Sequence, residues 1–372
     1  MQALVLSEVG GHLIVEDLPI PRPKMGEILV QVAACGVCHT DLHVLKGEVQ
    51  FPLPCVLGHE ISGVVAEVAA DVNAVRPGDA VVCSFIIPCG VCHYCVRGRD
   101  DLCETFFAMN RLKGTLYDGE SRLHRSDGSP LAMYSMGGLA EYAVVPTTDV
   151  FAAPANIPLT DACILGCAMM TAYGALKNQA RLQPNESIAV VGTGGVGSNA
   201  IQLARAFGAG QIIAVDIRED KLMAAKELGA THGVNAATTD TVAEIMSLTH
   251  GRGVDVAIEA LGRPETVVNA FMMTRDGGRV VVIGIAPGTT TAGIEITRLV
   301  RRGIQLMGSY GSRVRTDMPD VLGLAAHGQV NPSRAISRRY RLEQADEAYT
   351  ALNRGEIVGR AIVTMGSQTA AV

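Results

Sequence analysis

With 372 residues, 48% hydrophobic and 18% charged, and a formal net charge of −6, the chain is long enough for two cores and too apolar for disorder. No run of Lys or Arg appears, which speaks against nucleic acid or an anionic membrane surface as partner. The first residues lack a basic start followed by an apolar stretch. No segment reads as the roughly 18 uncharged apolar residues of a membrane span, so a cytoplasmic protein without a membrane partner is expected.

Up to about Asp149, short apolar runs are cut by Gly and Pro, as at 26–32, Ile61–Val68 and 80–84, with turn signals such as Arg76-Pro77-Gly78-Asp79. That pattern predicts a mostly β region. After about Ala155 the texture changes. A β-rich run at Ser187–Val191 leads into a glycine cluster and a helical stretch at 198–207. Then come a strand at Gln211–Asp216, a helix at 220–228 stopped by Gly229, and strands at Val254–Glu259 and 279–284. Strands alternating with helices predict a doubly wound parallel sheet, so the fold class is α/β. From Gly308 the chain returns to mixed character.

The sequence Val191-Gly192-Thr193-Gly194-Gly195-Val196-Gly197 fits G-x-G-x-x-G through Gly192, Gly194 and Gly197. The match is weak alone in a chain with 41 glycines, but its context is specific. A strand precedes it, a helix follows, and the next strand ends in Asp216, nineteen residues after Gly197. Gly192 permits the tight turn, Gly194 lets the backbone approach a pyrophosphate, and Gly197 lets the helix pack close to the strand. The free N–H groups of the helix N-terminus, from Gly195 and Val196 on, face the phosphates. Asp216 would accept from an adenosine ribose and repel a 2′-phosphate, which favours NAD over NADP; Arg218 nearby tempers that preference. A Gly-rich turn between ordinary elements is the bland alternative.

Four of the ten cysteines fall within fifteen residues, at Cys89, Cys92, Cys95 and Cys103. The spacing C-x2-C-x2-C-x7-C suits a closed, structural zinc site in a lobe at about 88–104. An iron–sulfur cluster would continue after three residues with Cys and Pro, and here the gap is seven. His93 reads as a solvated side chain within the loop. Three further residues are candidates for a second metal: Cys38, His59 and Cys167, with Glu60 beside them. Each alone is as readily a small core hydrophobe or a hydrogen-bonded structural side chain, and their spacing does not bring them together.

With these motifs in this order, the chain resembles the zinc-containing medium-chain alcohol dehydrogenases from about Gly26 to Met365. The matching segments are Cys38-His39-Thr40-Asp41-Leu42-His43, Gly58-His59-Glu60, the four-cysteine lobe, Gly166-Cys167 and the glycine motif. Residues 114–122 resemble the longer branch that includes the animal enzymes, and Gly308-Ser309-Tyr310-Gly311 the microbial tetrameric members. The resemblance implies a β-rich, GroES-like catalytic domain at 1–168 and 310–372 and a Rossmann domain at 169–309. It implies two zinc ions per subunit, one catalytic and one structural, with NAD, in a homodimer or homotetramer.

By the same resemblance Cys38, His59 and Cys167 hold the catalytic zinc, Asp41 orients His59, and Glu60 lies near the metal as an occasional ligand. Thr40 and His43 match a proton relay through the cofactor ribose to solvent. Lys221 matches a residue gripping the adenosine ribose, Arg360 one near the pyrophosphate, and His39 stands where many relatives carry Arg. Phe85 and Ile285 match pocket-lining positions, which implies an alcohol or aldehyde substrate with an apolar or aromatic body. The implied reaction lowers the alcohol's pKa on zinc, draws off its proton through Thr40, and passes hydride to nicotinamide. A formaldehyde dehydrogenase acting on a thiol adduct would use the same machinery. A zinc-free reductase of the superfamily would lack Cys38, His59 and Cys167, and a non-enzymatic relative would lack Thr40 or the glycine motif.

Overall fold

The protein is described by a computed structural model covering residues 1–366. The chain divides into two compact units. One comprises Met1–Cys167, Arg313–Ala326 and the residues from Ile336 on; the other comprises Ala168–Ser312 and His327–Ala335. The sequence boundaries at 168 and 309 therefore shift to 167 and 312. The segment His327–Ala335, expected with the catalytic domain, packs instead with the second unit, where Asn331 N donates to Gln202 Oε1 at 2.9 Å.

The first unit holds two sheets. A five-stranded sheet runs in the order Leu13–Asp17, Gln2–Leu6, Cys55–Val56, Pro130–Met133, Leu123–His124. The second runs Val150–Ala152, Ala80–Cys83, Ile61–Val68, Glu27–Val37, Arg360–Thr364, Ile336–Arg341, with Tyr142–Pro146 also paired to Glu27–Val37. Its long strand, Glu27–Val37, is central, and its Ile28, Val30, Val32 and Cys35 join Leu4, Leu57, Ile61 and Val363 in one core. Each fully buried Val, Leu or Ile there contributes about 1.5–3 kcal/mol.

The second unit is a six-stranded, wholly parallel sheet in the order His232–Asn235, Gln211–Asp216, Ser187–Val191, Val254–Glu259, Thr274–Val282, Gln305–Gly308. With strands counted along the chain this is the 3-2-1-4-5-6 order of a doubly wound nucleotide-binding fold. All five side chains of Ser187–Val191 are buried, as a strand covered on both faces requires. The first helix after the turn spans Gly195–Ala206, three residues earlier than its apolar periodicity indicates, because the motif's own glycines form its first turn.

The helical stretch Leu159–Ala180, interrupted by a turn at Cys167, has the length and mean hydropathy, 1.4, of a membrane span, but it carries Asp161 and Lys177, so the expectation of no uncharged span of that length stands. In the structure 89% of that window is buried inside the protein, where a core helix meets the same compositional demand as a lipid-facing one.

Candidate functional site

Sheet register assembles the first cluster. In the central strand Gly36 N donates to Glu60 O at 2.8 Å, and Cys35 pairs with Ile61, so Cys38 and His59 leave adjacent strand ends. Gly36 has to be Gly: a Cβ there would lie 1.7 Å from Glu60 Oε2. The third residue, Cys167, follows a tight turn whose Gly166 packs on the Ala80–Cys83 strand, where a Cβ would lie 1.9 Å from Cys83 O. Phe85 N donates to Gly166 O at 3.0 Å and fixes that turn. The Cys38 and Cys167 sulfurs and a His59 ring nitrogen converge within 4.8 Å of one another, all buried.

His59 Nε2 is buried without a hydrogen-bond partner, which is the mark of an atom shaped for a ligand. Its other nitrogen, Nδ1, meets Asp41 Oδ1 at 3.0 Å. Burial disfavours an imidazolium here, yet the negative charges of Asp41 and Cys38 overcome it and raise His59 to about 10. The cavity therefore favours a positive charge at Nε2. Cys38 is shifted well downward, first by the Cys167 thiol donating to it, then by Arg360 and His59 against its burial. Two thiols and one imidazole fit a zinc ion and leave a fourth position open.

Asp41 is itself held by three donors. Gly58 N and His59 Nδ1 reach Oδ1 at 3.0 Å each, and Tyr349 Oη reaches Oδ2 at 3.1 Å. Tyr349 lies 308 residues further along the chain, and nothing in the sequence links it to this site. Glu60 is not one of the converging donors. Its carboxylate is turned to Arg360, with Nε–Oε2 at 2.9 Å and Nη2–Oε1 at 3.1 Å. Arg360, expected near a pyrophosphate, is 3% exposed, and its Nη2 also lies 3.8 Å from Cys167 Sγ. There it is a buried cation beside the Glu60 carboxylate and the Cys167 thiol.

The helix His39–Leu45 carries the relay candidates. Thr40 Oγ1 accepts from Cys38 Sγ at 3.6 Å, and His43 lies three residues on, on the same face. His43 Nδ1 meets Glu48 Oε2 at 2.5 Å, a partner that a search five residues downstream of each histidine would have found. His39 is exposed at the start of that helix. Phe85 is 5% exposed and presents its ring edge-on to His59, with centroids 5.8 Å apart.

The four cysteines of the second cluster also bring their sulfurs within 4.8 Å of one another, and Cys92 and Cys103 lie 4.0 Å apart. Thiolates 2.3 Å from a tetrahedral zinc sit about 3.8 Å from one another, so this group fits a closed site. Gly90, at φ +78, turns the chain between the first two cysteines. Backbone N–H groups of Cys89, Cys92 and Phe106 donate to the sulfurs of Cys103, Cys89 and Cys103 at 3.3, 3.3 and 3.4 Å. Burial works against ionisation, but such N–H groups bring Cys92 down to about 6. Arg315 grips buried Asp100 through Nε and Nη2 and reaches Cys95 O at 2.5 Å, which anchors the lobe. His93 is exposed, as expected for a solvated side chain.

In the second unit the glycine motif opens the Gly195–Ala206 helix. Gly192 has φ +88, and a Cβ on Gly197 would lie 1.9 Å from Gly192 O, so helix and strand pack backbone to backbone. A Cβ on Gly194 would meet nothing within 4 Å, which leaves that backbone open to an approaching phosphate. Asp216 ends the Gln211–Asp216 strand. Its Oδ2 accepts from Thr193 N and Oγ1 at 2.9 Å each, and its Oδ1 from Ile217 N and Arg218 N. Arg218, two residues on, donates to Asp220 at 3.0 and 2.5 Å, so that cation is engaged by a neighbour. Lys221 lies in the first turn of the next helix, Glu219–Leu228. Ile285 is 42% exposed just after the Thr274–Val282 strand.

Two family models match: the alcohol dehydrogenase GroES-like domain over residues 24–155 and the zinc-binding dehydrogenase domain over 195–327. The chain is 36% identical to a putative alcohol dehydrogenase D of Mycobacterium tuberculosis, over 97% of this chain and 99% of the relative. It is 34% identical to an NDMA-dependent alcohol dehydrogenase of Amycolatopsis methanolica, over 95% and 96%. Among solved structures, benzyl alcohol dehydrogenase from Acinetobacter calcoaceticus aligns with a TM-score of 0.92 at 30% identity, covering 98% of this chain and 99% of that one. A putative zinc-binding dehydrogenase from Sinorhizobium meliloti, bound to NADP, aligns with a TM-score of 0.83 at 28% identity, with 98% of each chain covered. Metal-binding clusters, nucleotide-binding turn and matched domains agree, and the chain belongs to the zinc-containing medium-chain alcohol dehydrogenase family.

Proposed function

We propose that the protein is an NAD-linked alcohol dehydrogenase with two zinc ions per subunit, reversibly oxidising primary or secondary alcohols with an apolar or aromatic body. The observation that carries this reading is the partnerless, buried His59 Nε2 facing the Cys38 and Cys167 thiols. When bound, zinc supplies the Lewis acid that lowers an alcohol's pKa, and NAD+ the hydride acceptor. The chain's own residues do the rest. Asp41 keeps the proton of His59 on Nδ1 and so leaves Nε2 as a ligand. Arg360 offsets the negative charge of two thiolates and Glu60. Thr40 Oγ1 is the first acceptor for the alcohol's proton and can only pass it on, because a protonated hydroxyl is a strong acid. His43, one helical turn away, is the base that finally holds it. The edge of Phe85 beside His59 gives the site an apolar wall.

Preference for NAD is supported by Asp216 at the strand end and by the engagement of Arg218 with Asp220. Gly192, Gly194, Gly195, Val196 and Gly197 are the phosphate cradle in this reading, with Lys221 and His39 as further cofactor contacts. Assembly into a homodimer or homotetramer is supported by the open edge strand Gln305–Gly308 and by Ile296 and Val300, 74% and 72% exposed on the neighbouring helix. The four cysteines outside the two clusters, Cys35, Cys55, Cys83 and Cys163, are in no disulfide, which suits the reducing cytoplasm.

The test is NAD reduction over primary, secondary, aromatic and polyol alcohols, with and without NDMA and with and without added thiols. Asp216→Gly accompanies it and should lower kcat/KM with NAD and raise it with NADP. A wild-type enzyme that already prefers NADP overturns the Asp216 reading. Turnover of formaldehyde only with added thiol moves the substrate to the thiol adduct.

A further inference from the structure

We propose that Glu48 is a positioning residue for His43, fixing the imidazole in the tautomer that leaves Nε2 free to accept a proton. The inference rests on the relay proposed above and adds the group that makes His43 fit for it. A histidine side chain free in water carries its proton mostly on Nε2, the wrong nitrogen for a base that must accept there. Which nitrogen is protonated is set by the hydrogen bond made by the other.

The local chain builds that bond. The helix His39–Leu45 ends, Gly47 turns at φ +72, and Glu48 N and Val49 N donate to His43 O at 2.8 and 3.1 Å. A side chain at Gly47 would strike Val9, 2.5 Å from its Cγ1, so the turn is closely fitted. The fold-back brings Glu48 Oε2 to 2.5 Å from His43 Nδ1, with the two side chains 20% and 25% exposed. Lys46 Nζ takes the other oxygen, Oε1, at 2.7 Å. Lys46 first, and His43 second, hold the Glu48 carboxyl below the usual carboxylate range, so it accepts and does not donate. Nδ1 must then carry the hydrogen. The helix packed against this one, Ala345–Asn353, gives its Asp346 to His12 and its Tyr349 to Asp41.

The proton balance is simple. His43 begins neutral with Nδ1–H donating to Glu48 and a lone pair on Nε2. The alcohol's proton arrives at Nε2 and makes an imidazolium facing the Glu48 carboxylate. Nε2 then releases that proton to water, and Nδ1–H never leaves its partner.

The experiment has a spectroscopic arm and a kinetic arm. Two-bond 1H–15N spectra of histidine-labelled protein, with the signal assigned by its loss in His43→Gln, should show His43 protonated on Nδ1. Glu48→Ala should shift it toward Nε2–H, whereas Glu48→Gln, which keeps an acceptor oxygen, should hold the wild-type tautomer. With NAD and benzyl alcohol, Glu48→Ala should slow oxidation near neutral pH by about tenfold, below the hundredfold or more of a lost general base, and recover at high pH. It should have no further effect in a His43→Gln background. If His43→Gln slows the reaction but Glu48→Ala alters neither tautomer nor pH profile, Glu48 has no positioning role and the relay stands. If His43→Gln itself leaves the profile unchanged, the relay reading fails and takes this inference with it.

Discussion

Tyr349→Phe isolates one hydrogen bond in the support of the metal cluster. The Tyr349 hydroxyl, held protonated far above its ordinary range by burial and by Asp41, donates to Asp41 Oδ2 at 3.1 Å. Phe keeps the ring, which is 2% exposed and packed in the core, so no large cavity opens. The carboxylate retains two donors, Gly58 N and His59 Nδ1, but Oδ2 is left buried and bare. A bond to a charged acceptor is worth about 1.5–3 kcal/mol, which sets the loss of stability. Removing a ligand's direct partner weakens metal binding by about 10–100-fold. Tyr349 stands one bond further out, so about tenfold is expected. The assay is chelator competition for the zinc at Cys38, His59 and Cys167, with the four-cysteine zinc as internal control, alongside urea unfolding. A variant that loses less than about 0.5 kcal/mol and keeps wild-type zinc affinity would refute the claim that Tyr349 steadies Asp41.

Cys103→Ser should lose one zinc per chain and destabilise the lobe, whereas Cys167→Ser should lose the other zinc and turnover with little damage to folding. Metal analysis finding a single zinc in fully active wild-type protein would remove the two-site reading. A further expectation concerns acid stability. Burial alone would raise Asp255, but Ser187 and Arg275 outweigh it and bring its pKa from 3.8 to about 2. A depressed carboxyl stabilises the fold above its unfolded pKa, so this contribution, up to about 2 kcal/mol, is complete above pH 4 and lost between about pH 4 and pH 2. Asp255→Asn should be less stable at pH 7 and show a flatter acid limb in urea midpoints; an unchanged limb counts against it.

Strands Ser187–Val191, Gln211–Asp216 and Val254–Glu259 were legible to the residue. They are buried on both faces and so read as unbroken β-rich runs bounded by turn residues. The Thr274–Val282 strand was not, because its first half, Thr-Arg-Asp-Gly-Gly, has no β-branched alternation and leaves Asp276 and Gly277 exposed. The four-cysteine cluster was legible because its spacing is local. Cys38, His59 and Cys167 came together only by resemblance, since strand register, not spacing, unites them. The same distance hid Tyr349 and the pairing of Arg360 with Glu60, 300 residues away. Glu48 was within reach of the sequence and was missed because a carboxylate after a glycine turn carries no motif.

The strand Arg360–Thr364 lies between Glu27–Val37 and Ile336–Arg341, and its Ala361 pairs with Val37. During vectorial synthesis the strand Glu27–Val37 must therefore wait for nearly the whole polypeptide before its sheet is closed. The glycine-motif sheet, made from one continuous stretch and the short His327–Ala335 return, can close while the ribosome is still working. A nascent chain halted before Arg360 would hold Glu60 with no buried cation beside it, in a half-open sheet with a bare edge. The cluster of Cys38, His59 and Cys167 thus gains its buried cation, Arg360, only near the end of synthesis.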